Sequence, residues 1–342
     1  MIRYLVRRVA TMLVTLVAVS ALVFVIINLP PGNYLSNRIA EMQSSGEAAG
    51  ISRAQELMEQ YALDRPVWEQ YLIWVGVWPG PEGFSGLLQG DFGWSFELDR
   101  PVADVVGETA ALTALVNFSA LLFVYVVALP LGVIAAVRAN TWIDYVASFV
   151  GYIGLATPNF LLALILLTYG ARYFDIPVGG LMAREFEGEP MSWAKAGSIA
   201  THLVVPTIVI GTASAAAVMR RLRANLMDEL HKPYVETVRA KGVGPVPRIV
   251  RYPLRMALNP FVADIGNMAP QLVSGSVMVS VVMSLPTLGP VLLQALRSQD
   301  IFMSGFILLF VSALTLVGML ISDILLGLLD PRIRLSGTRR GA

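Results

Sequence analysis

The 342-residue chain contains no cysteine. Disulfides, thiolate metal sites and cysteine nucleophiles are therefore excluded together. Only two histidines occur, His202 and His231, too few for a histidine-rich metal site, and no metal ligand set is assigned. Charge is scarce as well. Asp, Glu, Lys and Arg make up 14% of the residues, where soluble chains average roughly 25%. The 25 basic and 24 acidic residues nearly cancel to +1, so no global field points to nucleic acid. In excess is apolar surface: 56% of residues are hydrophobic and the mean hydropathy is +0.65. That composition describes a membrane protein.

A spanning helix needs about 20 apolar residues, because the hydrocarbon is about 30 Å thick and a helix rises about 1.5 Å per residue. Six stretches qualify: Val9 to Leu29, Thr109 to Val137, Tyr145 to Ala171, Leu203 to Met219, a fifth beginning near Ile265, and Ile301 to Ser322. The fifth run is charge-free to Arg297 and too long for one span. Pro286 and Gly289-Pro290 end its helix near Leu285, leaving an apolar re-entrant or surface segment to about Leu296. The first run follows Arg3, Arg7 and Arg8 but exceeds a signal-peptide core, and Leu29-Pro30-Pro31-Gly32 offers no small-x-small cleavage site. It reads as an uncleaved anchor.

Distribution of the charges sets the orientation. Seventeen basic residues fall before the first span, in 138–144, in 220–255 and after Asp330, against eight in the alternate segments. The richer side is cytoplasmic. The expectation is an all-α membrane protein of six spans with both termini inside. Its parts are 1–29 (terminus and first span), 30–108 (exterior), 109–329 (five-span core) and 330–342 (cytoplasmic tail). In the exterior segment Ser52-Arg53-Ala54-Gln55 resembles a capping box for a helix to about Ala62, and Asp64-Arg65-Pro66 turns the chain. A second helix, Val67 to Trp78, carries Trp68, Tyr71, Trp74 and Trp78. Those aromatics suit either a belt at the bilayer surface or a landing surface for an exterior partner.

The connection 220–260 holds nine basic residues against Asp228, Glu229 and Glu236. Within it, Pro233 suits a helix start, Glu236 in the first turn suits the helix dipole, and Gly242 can end the helix. Pro245 and Pro247 forbid simple continuation. The product is a short helix off the end of a spanning helix, with Ala240 leaving room for close approach. Physically it is a knob that another protein can hold in a cleft.

At these residues the chain resembles the permease subunits of binding-protein-dependent ABC importers, whose signature sets a glutamate six positions before a glycine, here Glu236 and Gly242 with Ala240 between them. The fuller run Tyr234-Val235-Glu236-Thr237-Val238-Arg239-Ala240-Lys241-Gly242 is similar to the B-type dipeptide/oligopeptide subfamily. So are Arg3 to Arg8, Pro31-Gly32, Gly90-Asp91-Phe92-Gly93-Trp94-Ser95, Pro158-Asn159-Phe160 and Asp330-Pro331-Arg332. Where the general signature ends in Ile-x-Leu-Pro, this chain has Tyr252-Pro253-Leu254-Arg255.

The resemblance implies a channel-forming subunit in the prokaryotic inner membrane that pairs with a second homologous six-span permease. It implies two cytoplasmic ATP-binding subunits that carry the ATP and Mg, and an exterior solute-binding protein that delivers small peptides. Tyr234, Glu236, Arg239, Ala240, Lys241 and Gly242 are the implied ATPase-coupling residues. The chain lacks Gly-x-x-x-x-Gly-Lys-Ser/Thr, so it has no phosphate-cradling loop or cofactor of its own and is no enzyme. Similar chains also import oligosaccharides, and some carry nickel complexes.

Candidate pathway residues come from the fifth span, where Asn267, Gln271, Ser274, Ser276, Ser280 and Ser284 interrupt an apolar helix. Small polar residues line pores and also pack helices, and both readings stand. Asp264 and Asp323 fall near span ends and read as interfacial or paired; His202 reads as a cap, and Asn159 as a partner for backbone freed at Pro158. A self-sufficient secondary transporter or channel is the competing class. It calls for charged residues at the bilayer midplane, which this chain does not supply.

Overall fold

The computed structural model describes residues 2–32, 34–45, 48–81, 83–174, 177, 179–186 and 188–329. The tail with Asp330-Pro331-Arg332 lies outside the described residues, as does the side chain of Asn267. In chain order the helices are α1 (Ile2–Ile27), α2 (Tyr34–Ser45), α3 (Ala48–Gln60), α4 (Val67–Val75), α5 (Val102–Val137), α6 (Trp142–Ala156) and α7 (Asn159–Ile165). There follow a π-helical turn (Leu166–Gly170), α8 (Ala171–Phe174), α9 (Trp193–Leu230), α10 (Pro233–Ala240), α11 (Pro245–Arg251), α12 (Pro253–Val282), α13 (Leu288–Arg297) and α14 (Ile301–Leu329). Strands β1 (Trp94–Ser95) and β2 (Arg100–Pro101) pair antiparallel, Trp94 opposite Pro101.

Among the described residues, four helical stretches can cross a membrane by length and composition: Leu5–Ile27, Val102–Val137, Trp193–Leu230 and Ile301–Ile324. The expected third span is not one straight helix. Thr157 precedes a proline and is driven out of the helical region, to φ −85° and ψ 118°. The chain bends by 98° between Trp142–Ala156 and Asn159–Gly170. Counted as one bent span, this pair brings the total to five, and the carboxyl part of α12 adds a shorter apolar stretch, Gln271–Val282.

The chain divides into two compact units. One comprises 113–286 and 315–329. Its core packs α5, α9 and α12 through Val124, Ala128, Val218, Met219, Leu222, Leu226, Ala257 and Phe261. Helix α6 lies against α9 where glycine permits it: a Cβ on Gly151 would stand 2.7 Å from the Met219 Cε. Tyr125 Oη donates to the Phe261 carbonyl at 3.1 Å, and Ser322 Oγ to the Val262 carbonyl at 3.0 Å, so both hydroxyls are satisfied within apolar surroundings.

The other unit comprises 2–112 and 287–314. One of its cores gathers Phe24, Leu35, Leu63, Trp74 and Ile301; a second gathers Val102, Val105, Val106, Leu288, Ala295, Met303 and Ile307. The turn at Asp64-Arg65-Pro66 and the helix after it form where the sequence puts them, although α4 stops at Val75 because Gly76, at φ +91°, caps it. The apolar segment after the fifth span is α13, which accepts Pro290 because a first-turn residue needs no backbone donor.

Candidate functional site

Helix α9 has 38 residues, about 57 Å at 1.5 Å per residue, far more than the about 30 Å of hydrocarbon. The excess is its charged end, Arg220 to Leu230, so the expected loop at 220–260 starts as an unbroken helix. Lys232 breaks it with an extended backbone, φ −76° and ψ 145°, and Pro233 starts α10 as its first residue. Gly242 N–H donates to the Arg239 carbonyl at 3.0 Å and takes φ +76°, which turns the chain away from the helix axis. Pro245 then opens α11, and Pro253 opens α12, twelve residues before the apolar run that begins near Ile265. Both prolines act as helix starters.

Helix α10 has two clean faces. Val235 is buried and Tyr234 and Val238 half-buried, on the side that packs down. Arg239, Glu236, Ala240 and Thr237 follow one another around the opposite arc, and all are exposed, as are Lys241 and Gly242. Five of the six expected coupling residues thus share one bare surface. The sixth, Tyr234, anchors the helix: its Oη donates to Glu229 Oε2 at 2.6 Å, and Lys232 Nζ donates to Glu229 Oε1 at 2.6 Å. Burial, followed by the hydrogen bond and charge of Glu229, raises the Tyr234 phenol well above its ordinary value.

The basic residues of 220–255 fall into two groups. Arg221 pairs with Asp264 at 2.6 Å, Arg223 with Asp144, and Lys232 with Glu229. Arg220 sits over the Tyr152 ring at 4.7 Å. Arg239, Lys241, Arg248, Arg251 and Arg255 have no carboxylate partner among the described residues; the first two lie on or next to α10 and the other three follow it in the chain. Sequence reasoning missed the Asp144–Arg223 pair, which joins residues 79 apart. Its only local trace was an acid at the start of a span.

The fifth-span residues are divided by the helix rather than gathered. Gln271 and Ser274 are exposed on one face of α12 together with Met278, and Ser284 is exposed beyond its end at φ +53°. Ser276 and Ser280, at 6% and 1% exposure, lie on the opposite, buried face. Ser276 Oγ donates to the Val273 carbonyl of its own helix at 2.8 Å. Asp264 is the partner of Arg221, and His202 Nδ1 lies 2.8 Å from the Ser198 carbonyl one turn before it. Among the described residues no three or more His, Asp and Glu side chains come together as metal ligands.

Residues 128–335 match the family of binding-protein-dependent transport system inner membrane components, and residues 1–119 match the N-terminal region of such membrane components. The chain is 30% identical to an oligopeptide transport system permease protein of Bacillus subtilis, over 97% of this chain and 99% of that one. It is 28% identical to a dipeptide transport system permease protein of Escherichia coli K12 and to a glutathione transport system permease protein of an O1:K1 strain of E. coli. Each of these two comparisons covers 98% of this chain and 99% of the relative. With long apolar helices throughout and the family matched along nearly its whole length, the chain belongs to the inner membrane components of binding-protein-dependent transport systems.

Proposed function

We propose that this chain is a channel-forming permease subunit of an ATP-driven importer of small peptides. Peptides are the substrate class because the similar proteins are permeases for oligopeptides, dipeptides and glutathione. Six spans, namely α1, α5, the bent pair α6–α7, α9, the carboxyl part of α12, and α14, cross the inner membrane with both termini cytoplasmic. A second homologous permease completes the channel. Two ATP-binding subunits hold ATP and Mg, and an exterior solute-binding protein hands over the peptide.

The observation that carries this reading is the bare arc of α10 at the end of the over-long α9. Arg239, Glu236, Ala240 and Thr237 fit a cleft in an ATP-binding subunit, with Lys241 and Gly242 at its rim. Tyr234 and Lys232 clamp the knob to Glu229 on α9, so a pull on α10 is delivered to a rigid rod of 38 residues. Rocking such rods as bodies opens and closes a path between two permeases. Gln271, Ser274 and Ser284, on the exposed side of α12 and beyond its end, are the pathway residues we retain. Ser276 and Ser280 serve packing within α12.

Affinity purification of the chain from its native membrane, with identification of the co-purifying polypeptides, tests the assembly. Two ATP-binding polypeptides and a second permease are expected, and proteoliposomes of the assembly with its binding protein take up di- or oligopeptide only with ATP. A homogeneous oligomer of this chain that moves solute without ATP overturns the reading.

A further inference from the structure

Within the unit that holds α1 and α4, the position of α4 is fixed against a membrane-spanning helix. Tyr71 Oη and Ser20 Oγ share a hydrogen bond of 2.8 Å. The Phe24 ring packs on Tyr71 and Trp74, with centroids 5.5 and 5.4 Å apart. Leu5–Ile27 is 23 residues long, about 34 Å, so it overhangs an about 30 Å hydrocarbon layer by about 2 Å at each end. Ser20 precedes Ile27 by seven residues, about 10 Å along the axis, and so lies about 8 Å inside the layer. The side chains of α4 therefore meet α1 below the boundary between hydrocarbon and headgroups.

Large apolar side chains on α4 and in the segment that follows it are uncovered. Trp68 is 61%, Trp78 45%, Phe84 63% and Leu88 70% exposed. From Val67 to Gln89 the sequence has only two charges, Glu69 and Glu82, and Glu69 is held by Arg65 at 2.6 Å. Charge within 67–89 is thus sparse, which suits contact with lipid better than the polar rim of a landing site for a soluble protein. Among the described residues of the segment, backbone groups pair with one another. Val77 and Trp78 N–H both donate to the Leu72 carbonyl, Gly80 and Gly83 bond each other in both directions, Gln89 Nε2 donates to the Gly76 carbonyl, and Asp91 N–H donates to that of Gly86. Irregular chain near hydrocarbon needs such internal pairing because lipid offers none.

We propose that α4 and the segment 76–89 form a membrane-interface anchor. Trp68, Trp78, Phe84 and Leu88 rest in the headgroup and upper acyl region of the leaflet at the carboxyl end of α1. Indole rings suit that depth, with an apolar body and a polar N–H. The anchor holds the segment after α1 against the bilayer and leaves its other faces for protein partners. The proposal rests on reading α1 as a span.

The absence of cysteine makes the test direct. Single variants Trp68→Cys, Phe84→Cys and Leu88→Cys are spin-labelled in the full chain in lipid nanodiscs, with Val14→Cys on α1 and Glu56→Cys on α3 as references. Labels at 68, 84 and 88 are expected to be relaxed by lipid-dissolved oxygen more than by an aqueous nickel chelate, as at 14, with the reverse at 56. Nickel relaxation at all three matching that at 56, while 14 stays lipid-exposed, overturns the anchor alone. Water access at 14 overturns the span, and the anchor with it. Protection from nickel that arises only when the exterior binding protein is added overturns the anchor in favour of a docking surface. A second measurement needs no labelled cysteine: Trp68→Phe is expected to lower the fraction of tryptophan fluorescence quenched by brominated lipid, and an unchanged fraction counts against the proposal.

Discussion

The Arg223 guanidinium meets the Asp144 carboxylate with two parallel hydrogen bonds, Nε to Oδ1 at 2.5 Å and Nη2 to Oδ2 at 2.6 Å. Asp144 is 1% exposed. It also accepts from the Asn140 N–H at 2.9 Å, so both carboxylate oxygens are occupied. The pair ties the first turn of α6 to the part of α9 that carries α10. Replacing Asp144 by Ala leaves an arginine with a partly desolvated and unmatched charge, which costs about 3 kcal/mol in comparable pairs. We expect Asp144→Ala to lower the melting temperature of the purified chain, and Asp144→Ala/Arg223→Ala to lose less than the two single variants summed. Equal and additive losses would show that the two groups do not act together. Arg223→Lys is expected to recover little, because an ammonium cannot reproduce the planar fork.

Gly242 sits at φ +76° with no atom within 4 Å of the place where a Cβ would stand. Space is therefore not what demands glycine here; backbone conformation is. An ordinary L-residue in that region costs roughly 1–2 kcal/mol, a β-branched one more, and Asn least. Gly242→Val should insert into the membrane normally but displace the carboxyl end of α10, so that ATP hydrolysis by the assembly continues while peptide uptake falls. Gly242→Asn should transport nearly as the parent does. Equal transport by both variants would remove the turn from the coupling role proposed for it.

Much of the fold was legible because apolar runs and their breakers are local. The run from Val9 reappears inside a helix as far as Ile27, the charge-free 109–137 and 301–322 do so whole, and Pro233 and Pro66 start or precede helices as their fixed φ requires. Helix ends were less legible than span ends. Charge marks where hydrocarbon stops, near Arg220 and Ile265, and a helix has no reason to stop there: α9 runs on to Leu230 and α12 starts at Pro253. Arg, Met, Leu and Glu are good helix formers in water too. The 98° bend at Pro158 was invisible for a different reason: the residue before proline must leave the helical region, yet its exact ψ depends on tertiary packing. The short helix α10 could be read from Pro233 at its start and Gly242 at its end. The Asp144–Arg223 contact could not, since nothing local in either segment selects the other.

Tyr234 supplies a pH test of the clamp between α9 and α10. Its phenol donates to Glu229 Oε2 at 2.6 Å, and burial together with that carboxylate raises its proton affinity above the ordinary value of 10.0. The folded state therefore holds a proton that the unfolded chain releases first. The stabilisation is present in full below pH 10 and declines as pH rises above it. Tyr234→Phe removes a hydrogen bond to a charged acceptor, worth about 1.5–3 kcal/mol. We expect the melting temperature of the parent to exceed that of Tyr234→Phe by a constant margin from pH 7 to 9.5, with the margin shrinking only at more alkaline pH. A margin that shrinks below pH 9 would mean that another group titrates in its place.

The motif Gly90 to Ser95 has a physical reason that only the structure supplies. Ser95 Oγ donates to Asp300 Oδ2 at 2.7 Å, Glu97 N–H to the same oxygen at 3.3 Å, and Met303 N–H to Asp300 Oδ1 at 3.2 Å. Asp300, fully buried, thus caps α14 and fastens the strand before it in one step. Gly93, at φ +83°, lets the strand pass where a Cβ would come within 2.8 Å of the Phe302 ring. Asp300→Ala strips three donors of their acceptor in a closed site, each at roughly 1–3 kcal/mol, and should unfold or render protease-sensitive the unit containing 2–112. Asp300→Asn keeps one carbonyl oxygen for Met303 but opposes an N–H to the N–H of Glu97, so an intermediate loss is expected. Burial raises the Asp300 carboxyl above its ordinary 3.8, against the hydrogen bonds that favour its charge. The folded chain then binds the proton more tightly than the unfolded one, and the stability contributed here falls as pH rises through that window. Asn cannot titrate. The stability of the parent relative to Asp300→Asn should accordingly decline as pH is raised from 3.8, and a gap that widens over the same range would show that the charged form is the one this pocket prefers.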